Sequence, residues 1–259
     1  MLKNIIRKIY WILSAQFGID PRRMFGSFKG IPRYVFDLVC FCKVYKGRLD
    51  ILPCFNDWYR EGGETHGEYF WQDLYVARQI FQANPSKHVD IGSRIDGFVA
   101  HIASYREIEI FDIRPVTSKI PGVIFRQADL MSESESFAGY SDSLSCLHTL
   151  EHFGLGRYGD PINPFGYESG LVNMAKILRS GGYFYLSVPI GQERVAFNAH
   201  RIFDPHLLIK LAESNGLILN KFAWVDNSGS VIESSDTELD INNLCKIHYT
   251  LGIFTFIKH

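Results

Sequence analysis

Cysteine is sparse and scattered. The five residues Cys40, Cys42, Cys54, Cys146 and Cys245 form no Cys-x-x-Cys pair, and no Cys/His set has zinc-ligand spacing. An odd, dispersed set fits free thiols in a reducing compartment and argues against a disulfide scaffold. Long apolar runs are also missing. No stretch reaches the roughly 18 apolar residues that a membrane span needs. The apolar N-terminal run is broken by Arg7 and Lys8 and lacks a small-residue cleavage site, so no signal peptide is expected. There is no internal repeat, no low-complexity tract and no defensible metal-ligand spacing among the His and acidic residues. What is present, 259 residues at 46% hydrophobic content, suits one α/β domain over 64–259 behind an appended segment over 1–63.

The net charge of -1 conceals an uneven distribution. Residues 1–48 carry ten Lys/Arg against Asp20 and Asp37, a net of +8, so the remainder carries -9. A basic, aromatic-rich arm on an acidic body suits an anionic partner such as lipid headgroups, a phosphorylated substrate or nucleic acid; it is equally a solvated basic surface. Residues 2–17 fit a helix with Leu2, Ile5, Ile6, Ile9, Ile12 and Leu13 on one side and Lys3, Arg7 and Lys8 towards the other. Such a helix either packs its apolar stripe on the same protein or lies at a membrane interface with Trp11 as anchor. Residues 18–63 read as a loosely regular lead-in with a short helix near 32–44.

Beyond this arm the period alternates. A helix is predicted over 66–83, ended by Asn84-Pro85, then strands at 87–91, 107–112, 122–127, 143–147 and 183–188. Helices are predicted at 95–104, 168–179 (closed by Gly181-Gly182) and 205–215, with late strands at 217–225 and 247–257. The polar stretch Ser228 to Asn243 between them reads as a surface loop. Strands alternating with helices imply right-handed βαβ units, a mostly parallel sheet and helices on both faces. Ligands of such sheets bind beyond the carboxyl ends of the strands.

Three acids stand at those ends. The first strand closes in Asp90-Ile91-Gly92-Ser93, where the glycine allows a tight turn and close ligand approach. The second closes in Asp112, spaced as the acid that hydrogen-bonds a ribose in Rossmann-type sites. The third runs into Ala128-Asp129-Leu130, where a carboxylate can accept from an exocyclic amine. Asp is also a common turn residue after strands, so each acid alone carries little.

The run of Asp90-Ile-Gly-Ser, Ile108-Glu-Ile-Phe-Asp112, Gln127-Ala-Asp-Leu130, Leu147-His-Thr-Leu-Glu-His152 and Lys176-Ile-Leu-Arg-Ser-Gly-Gly182, followed by Tyr185-Leu-Ser-Val-Pro189, resembles the class I S-adenosylmethionine-dependent methyltransferases. The resemblance covers residues 66–226 and touches the small-molecule branch. Gly92-Ser-Arg-Ile-Asp-Gly97 and Asn198-Ala-His-Arg201 are most similar to an uncharacterised methyltransferase-like family, a domain of unknown function, some of whose members accompany bacterial surface-polysaccharide genes. The resemblance implies a Rossmann-like, seven-stranded sheet whose last strand, 247–257, is antiparallel. It implies S-adenosylmethionine as cofactor. Asp90, Gly92, Ser93 and Arg94 would border its methionine part. Asp112 would bind the ribose with Ile113 behind it. Asp129 and Leu130 would flank the adenine, and Leu147 would close the site.

One departure bears on this. The family's glycine-rich loop has glycines where this chain has Arg94 and Asp96. Arg94 can bind the cofactor carboxylate, fill its pocket, or pair with Asp96. The same loop lacks the glycines of a dinucleotide pyrophosphate cradle, which argues against an oxidoreductase.

For methyl transfer to oxygen, a base helps to remove the acceptor's proton. His148, Glu151 and His152 follow the fourth strand and His200 the fifth, so these are the candidate catalytic residues; histidine titrates near neutrality. The alternative is that Glu151 and His152 cap the turn and hold Arg157 or Arg201. Arg201 is a candidate for a substrate phosphate or carboxylate, or for a loop salt bridge. His88 and His101 are expected to be structural. The loop Gly154 to Gly166 can cover the acceptor, and Tyr69, Phe70 and Trp71 can lid the cofactor or be core.

Two functions follow. One is methyl transfer to a small polar acceptor, with a sugar hydroxyl of a surface-glycan precursor as the expected case. The other is a methyltransferase-like fold that binds a partner or runs different chemistry. No nucleic-acid partner is expected, since the arm contains no recognisable binding module. The expected location is cytoplasmic, with peripheral contact at the inner membrane face through the basic arm.

Overall fold

The computed structural model describes residues 2–59, 62–63, 65, 67–132, 137–226 and 228–259. The expected domain start at Glu64 and helix start at His66 lie outside these residues, as do the side chains of Leu2 and Lys3. The chain divides into two units, Met1–Glu64 and Thr65–His259.

In the first unit, α1 (Leu2–Trp11) runs on through a π-turn at Ile12–Gln16, and α2 spans Pro21–Val44. The helix expected near 32–44 thus begins much earlier. Asp20 caps it, accepting from the N–H groups of Arg22 (2.9 Å) and Arg23 (3.2 Å), and Pro21 fits the first turn, where no N–H is needed. Pro32 lies inside the helix, where it removes one backbone donor without ending it. One face of α2 is made of small residues and receives the segment near Phe55. A Cβ on Gly30 would overlap the Phe55 carbonyl, and a Cβ on Gly26 would lie 2.8 Å from Asn56 Oδ1. Tyr34 packs edge-on to Phe55, and the Arg33 guanidinium sits 3.3 Å over Trp58.

In the second unit, α3 (Glu68–Ala83) ends at Asn84 in the left-handed conformation (φ 42°), its N–H bonded to the Ile80 carbonyl. Then follow β1 (His88–Ile91), a π-turn at Ile95–Val99 leading into α4 (Ala100–Ala103), β2 (Ile108–Asp112), β3 (Val123–Gln127) and β4 (Ser141–Leu147). Next come α5 (Gly166–Ile177), β5 (Leu178–Ile190), a hairpin of β6 (Arg194–Ala196) and β7 (His200–Ile202), and α6 (Pro205–Glu213). The unit closes with β8 (Leu217–Val225), β9 (Val231–Glu233), α7 (Thr237–Leu244) and β10 (Thr250–Lys258). The sheet order is β3-β2-β1-β4-β5-β10-β8-β9. The pairs from β3 to β5 are parallel, and β10 is antiparallel to both β5 and β8.

The expected parallel sheet and antiparallel β10 are present, but among the described residues the main sheet has eight strands rather than seven. The additional one is β9, which pairs with β8 from within the stretch read as a surface loop. That stretch also folds into α7, whose first turn is capped by Asp236 on the Leu239 N–H at 3.1 Å. Gly181 does adopt positive φ (78°), but not as a helix cap: α5 has already ended at Ile177 and passed directly into β5.

Alternation on the strands builds two cores. Val89, Ile91, Leu144 and Leu186 bury against Leu171 and Met174 of α5 and Leu208 and Ala212 of α6. Ile108, Ile110 and Tyr185 bury against Val76 and Ile80 of α3, Val99 of the π-turn and Ile102 of α4. Each such aliphatic side chain contributes roughly 1.5–3 kcal/mol when removed from water. The parallel strands are thereby fixed with their carboxyl ends along one edge, which is where loops can form a site.

Candidate functional site

A cleft of about 690 Å³ opens over the ends of β1, β2 and β4. Gly92, Ser93, Arg94, Asp112, Ile113, Asp129, Leu130, Leu147, His148, Glu151, His152 and His200 all line it. Asp90 does not. It is fully buried behind the loop, where Oδ2 accepts from the Ser93 N–H (2.9 Å) and Oδ1 accepts from the hydroxyls of Ser93 (2.7 Å) and Ser145 (2.5 Å). Burial pushes its carboxyl up to about 6, against the pull of those bonds. Asp90 therefore shapes the loop rather than bordering a ligand. Gly92 needs its φ of 67°, and a Cβ there would stand 2.5 Å from Thr149 Cγ2.

Of the three roles open to Arg94, the structure has the pairing with Asp96: Nε to Oδ1 at 3.0 Å and a terminal nitrogen to Oδ2 at 2.7 Å, both side chains largely exposed. Both residues line the rim of the cleft, paired with each other. Asp112 is likewise paired. The Arg114 N–H and Nε donate to Oδ1 (2.8 and 3.1 Å), and its terminal nitrogen donates to Oδ2 at 2.6 Å. The Arg114 guanidinium also lies 4.5 Å from the Tyr158 ring centre. Asp129 accepts from the Met131 N–H at 2.9 Å.

The opposite end of the cleft is built around His148, a non-glycine residue with φ 53°. Its Nδ1 lies 2.9 Å from Glu151 Oε1, its Nε2 3.3 Å from Glu68 Oε1, and Tyr69 stacks on the ring with centres 4.4 Å apart. Burial disfavours the imidazolium, but the two carboxylates outweigh it and raise the pKa to about 9. At neutral pH His148 is therefore a held cation, hydrogen-bonded to Glu151 and ion-paired with Glu68, a state that does not suit a general base. Burial works to raise Glu68, but hydrogen bonds from His148 and Tyr249 hold it below the usual carboxylate range; the Tyr249 hydroxyl donates to Oε1 at 2.5 Å.

Glu151 is buried, and its Oε2 has no partner, nor does His152 Nδ1. Burial lowers the pKa of His152, and likewise that of half-buried His200, so both are neutral at pH 7 and able to accept a proton. Tyr158 stands edge-on to His152 at 5.4 Å between ring centres.

Arg201 is not in the cleft. It is buried, donating to the carbonyls of Glu151 (3.3 Å), Phe153 (2.5 Å) and Pro164 (3.0 Å), and thus pins the loop after β4 to β7. Neither expected role, an anion contact or a salt bridge, applies. Tyr69 lines the cleft, whereas Phe70 and Trp71 do not. His88 is buried in the sheet between the Ser143 and Ser145 hydroxyls, and His101 bonds the Gly97 carbonyl. From the covering loop, Arg157, Tyr158 and Asp160 reach the cleft.

Sequence reasoning missed Glu68, Tyr249, Arg114 and Tyr158. Glu68 and Tyr249 meet across 181 positions, which no local pattern announces. Arg114 had a signal: a cation two residues after a strand-end acid can fold back on it.

The family model described as "Caenorhabditis protein of unknown function, DUF268" matches residues 111–251. The chain belongs to this family. No curated protein matches. Among solved structures, the chain is similar to Burkholderia thailandensis 1,6-didemethyltoxoflavin-N1-methyltransferase, crystallised with 1,6-didemethyltoxoflavin and S-adenosylhomocysteine. The identity is 16%, the coverage 72% of this chain and 78% of that one, and the TM-score 0.51. It is similar to geranyl diphosphate methyltransferase in complex with SAM (10% identity, 76% and 93% covered, TM-score 0.51). It is also similar to the [4+2]-cyclase SpnF (11% identity, 71% and 80% covered, TM-score 0.50). At these identities the likeness concerns the fold, which is that of the class I methyltransferases.

Proposed function

We propose that this chain is an S-adenosylmethionine-dependent methyltransferase acting on a small polar acceptor, with a sugar hydroxyl of a glycan precursor as the acceptor class. The observation that carries the reading is one cleft with strand-end acids along one side and a neutral imidazole at the other. Asp112 would take the ribose hydroxyls, Asp129 the adenine amine, and the Gly92-Ser93 backbone the methionine part. The residues fit such a group: the Gly92 turn brings backbone rather than side chain to the cleft, and Arg94 and Asp96, which line its rim, are paired with each other. When bound, the cofactor supplies an electrophilic methyl group on a sulfonium.

The rest of the chemistry belongs to the chain. His152, neutral and lining the cleft, takes the acceptor's proton. Glu151 lines the cleft beside it and supplies a carboxylate for a second acceptor hydroxyl, which suits a polyol such as a sugar. His148 holds Glu151 and Glu68 in place by charge.

A second reading is favoured by one contact. Arg114 occupies both oxygens of Asp112, where the ribose would bind, so the fold can have been turned to other ends, as SpnF is a cyclase on the same fold. Calorimetric titration with S-adenosylmethionine and S-adenosylhomocysteine separates the two. Micromolar binding lost in Asp112→Ala supports methyl transfer, and no binding to ligand-free protein favours the second reading. Given binding, His152→Ala is expected to slow methylation of sugar acceptors, read by mass spectrometry, by roughly 10²-fold or more.

A further inference from the structure

We propose that the first unit docks on an anionic lipid surface through the outward face of α2, extended by α1. The small-residue face of α2 is already used: Gly26 and Gly30 admit the segment at Phe55 and Asn56, with Tyr34 packing against it. The bulky residues lie on the opposite side. Phe25, Phe28, Pro32, Phe36 and Val39 recur at helical spacing and form one stripe four turns long. Phe25, Phe28 and Phe36 are 73%, 66% and 67% exposed, the reverse of what a helix packed on its own protein shows. Ile5, Ile6, Ile9 and Trp11 of α1 and Ile12 of the turn after it are exposed as well. No helix among the described residues is long and apolar enough to cross a membrane.

Charge identifies the occupant. Residues 1–48 hold ten Lys/Arg against two acids, and Arg22, Lys29 and Lys43 border the α2 stripe. A second copy would bring the same charge against itself, at a like-charge cost. An anionic bilayer complements both halves of the surface: aromatic rings sink into the headgroup boundary while the cations meet lipid phosphates. This interfacial arrangement needs no span, and it is independent of what the cleft catalyses.

The test is sedimentation of the full chain with vesicles of 70% phosphatidylcholine and 30% phosphatidylserine, and with vesicles of phosphatidylcholine alone. Binding to the anionic vesicles is expected, weakened at 0.5 M salt and by Lys29→Glu/Lys43→Glu by about tenfold or more. Phe25→Ser/Phe28→Ser/Phe36→Ser should abolish it while leaving the far-UV circular dichroism spectrum unchanged; a milder Phe28→Ser variant serves if the triple variant unfolds. Equal binding to both vesicle types, binding that survives Phe28→Ser undiminished, or a stable dimer by analytical ultracentrifugation with no vesicle binding would each overturn the proposal.

Discussion

Arg114 and Asp112 stand two residues apart at the end of β2, and the guanidinium of one covers both carboxylate oxygens of the other. A ribose placed at Asp112 has to displace that fork. The pair is half-exposed on the arginine side, so its breaking costs about 1 kcal/mol or less. Arg114→Ala is therefore expected to tighten binding of S-adenosylmethionine by a few-fold, measured by calorimetry. A loss of affinity on this substitution would mean that Arg114 holds the ligand itself.

The His148 cation between Glu68 and Glu151 couples stability to pH. Its pKa rises from an ordinary 6.5 to about 9 on folding. Its contribution is then fully present below about pH 6.5 and is lost as pH rises through 9; linkage sets it on the order of 3 kcal/mol. Urea midpoints of the wild type and His148→Gln should differ most at pH 6.5 and converge by pH 10. A gap independent of pH would show that the imidazole is not charged.

Arg201 satisfies three carbonyls in a buried position. Arg201→Ala should destabilise the protein by roughly 3 kcal/mol in denaturant unfolding, because buried acceptors lose a charged donor. Arg201→Lys should recover part of the loss. Unchanged stability with a raised KM would instead make Arg201 a substrate ligand.

Gly92→Ala combines two costs, a left-handed alanine at about 1–2 kcal/mol and a methyl 2.5 Å from Thr149 Cγ2. Thr149→Ser deletes that methyl and keeps the hydroxyl that bonds the Leu147 carbonyl. The double variant should be more stable than Gly92→Ala alone, by thermal melting. Strict additivity of the two changes would mean that the loop moves freely.

The parallel half of the sheet was legible because its signals are local. Short strand runs, buried at nearly every position, alternate with helical spacing, and the strand ends at Asp112 and Leu147 fall where the runs stop. The twelve cleft residues named in advance follow from those ends. The burial of Asp90 was not legible, since it depends on Ser145, a strand neighbour 55 positions away. Nor was the charge on His148, which needs Glu68 from the start of α3. Two capping signals were overlooked, Asp20-Pro21 before α2 and Asp236 before α7. Pro32, at the start of the helix expected near 32–44, is an interior residue of α2.

β10 bears on how the sheet is completed during synthesis. It lies between β5 and β8 yet follows both in the chain, and its register runs unbroken from Thr250 against Ile190 to Ile257 against Tyr183. Until β10 leaves the ribosome, β5 and β8 each present an unpaired edge, and the hairpin of β8 and β9 has no sheet to join. Such open edges are where nascent chains pair wrongly. Completion of the sheet thus waits on the insertion of one nine-residue strand between β5 and β8.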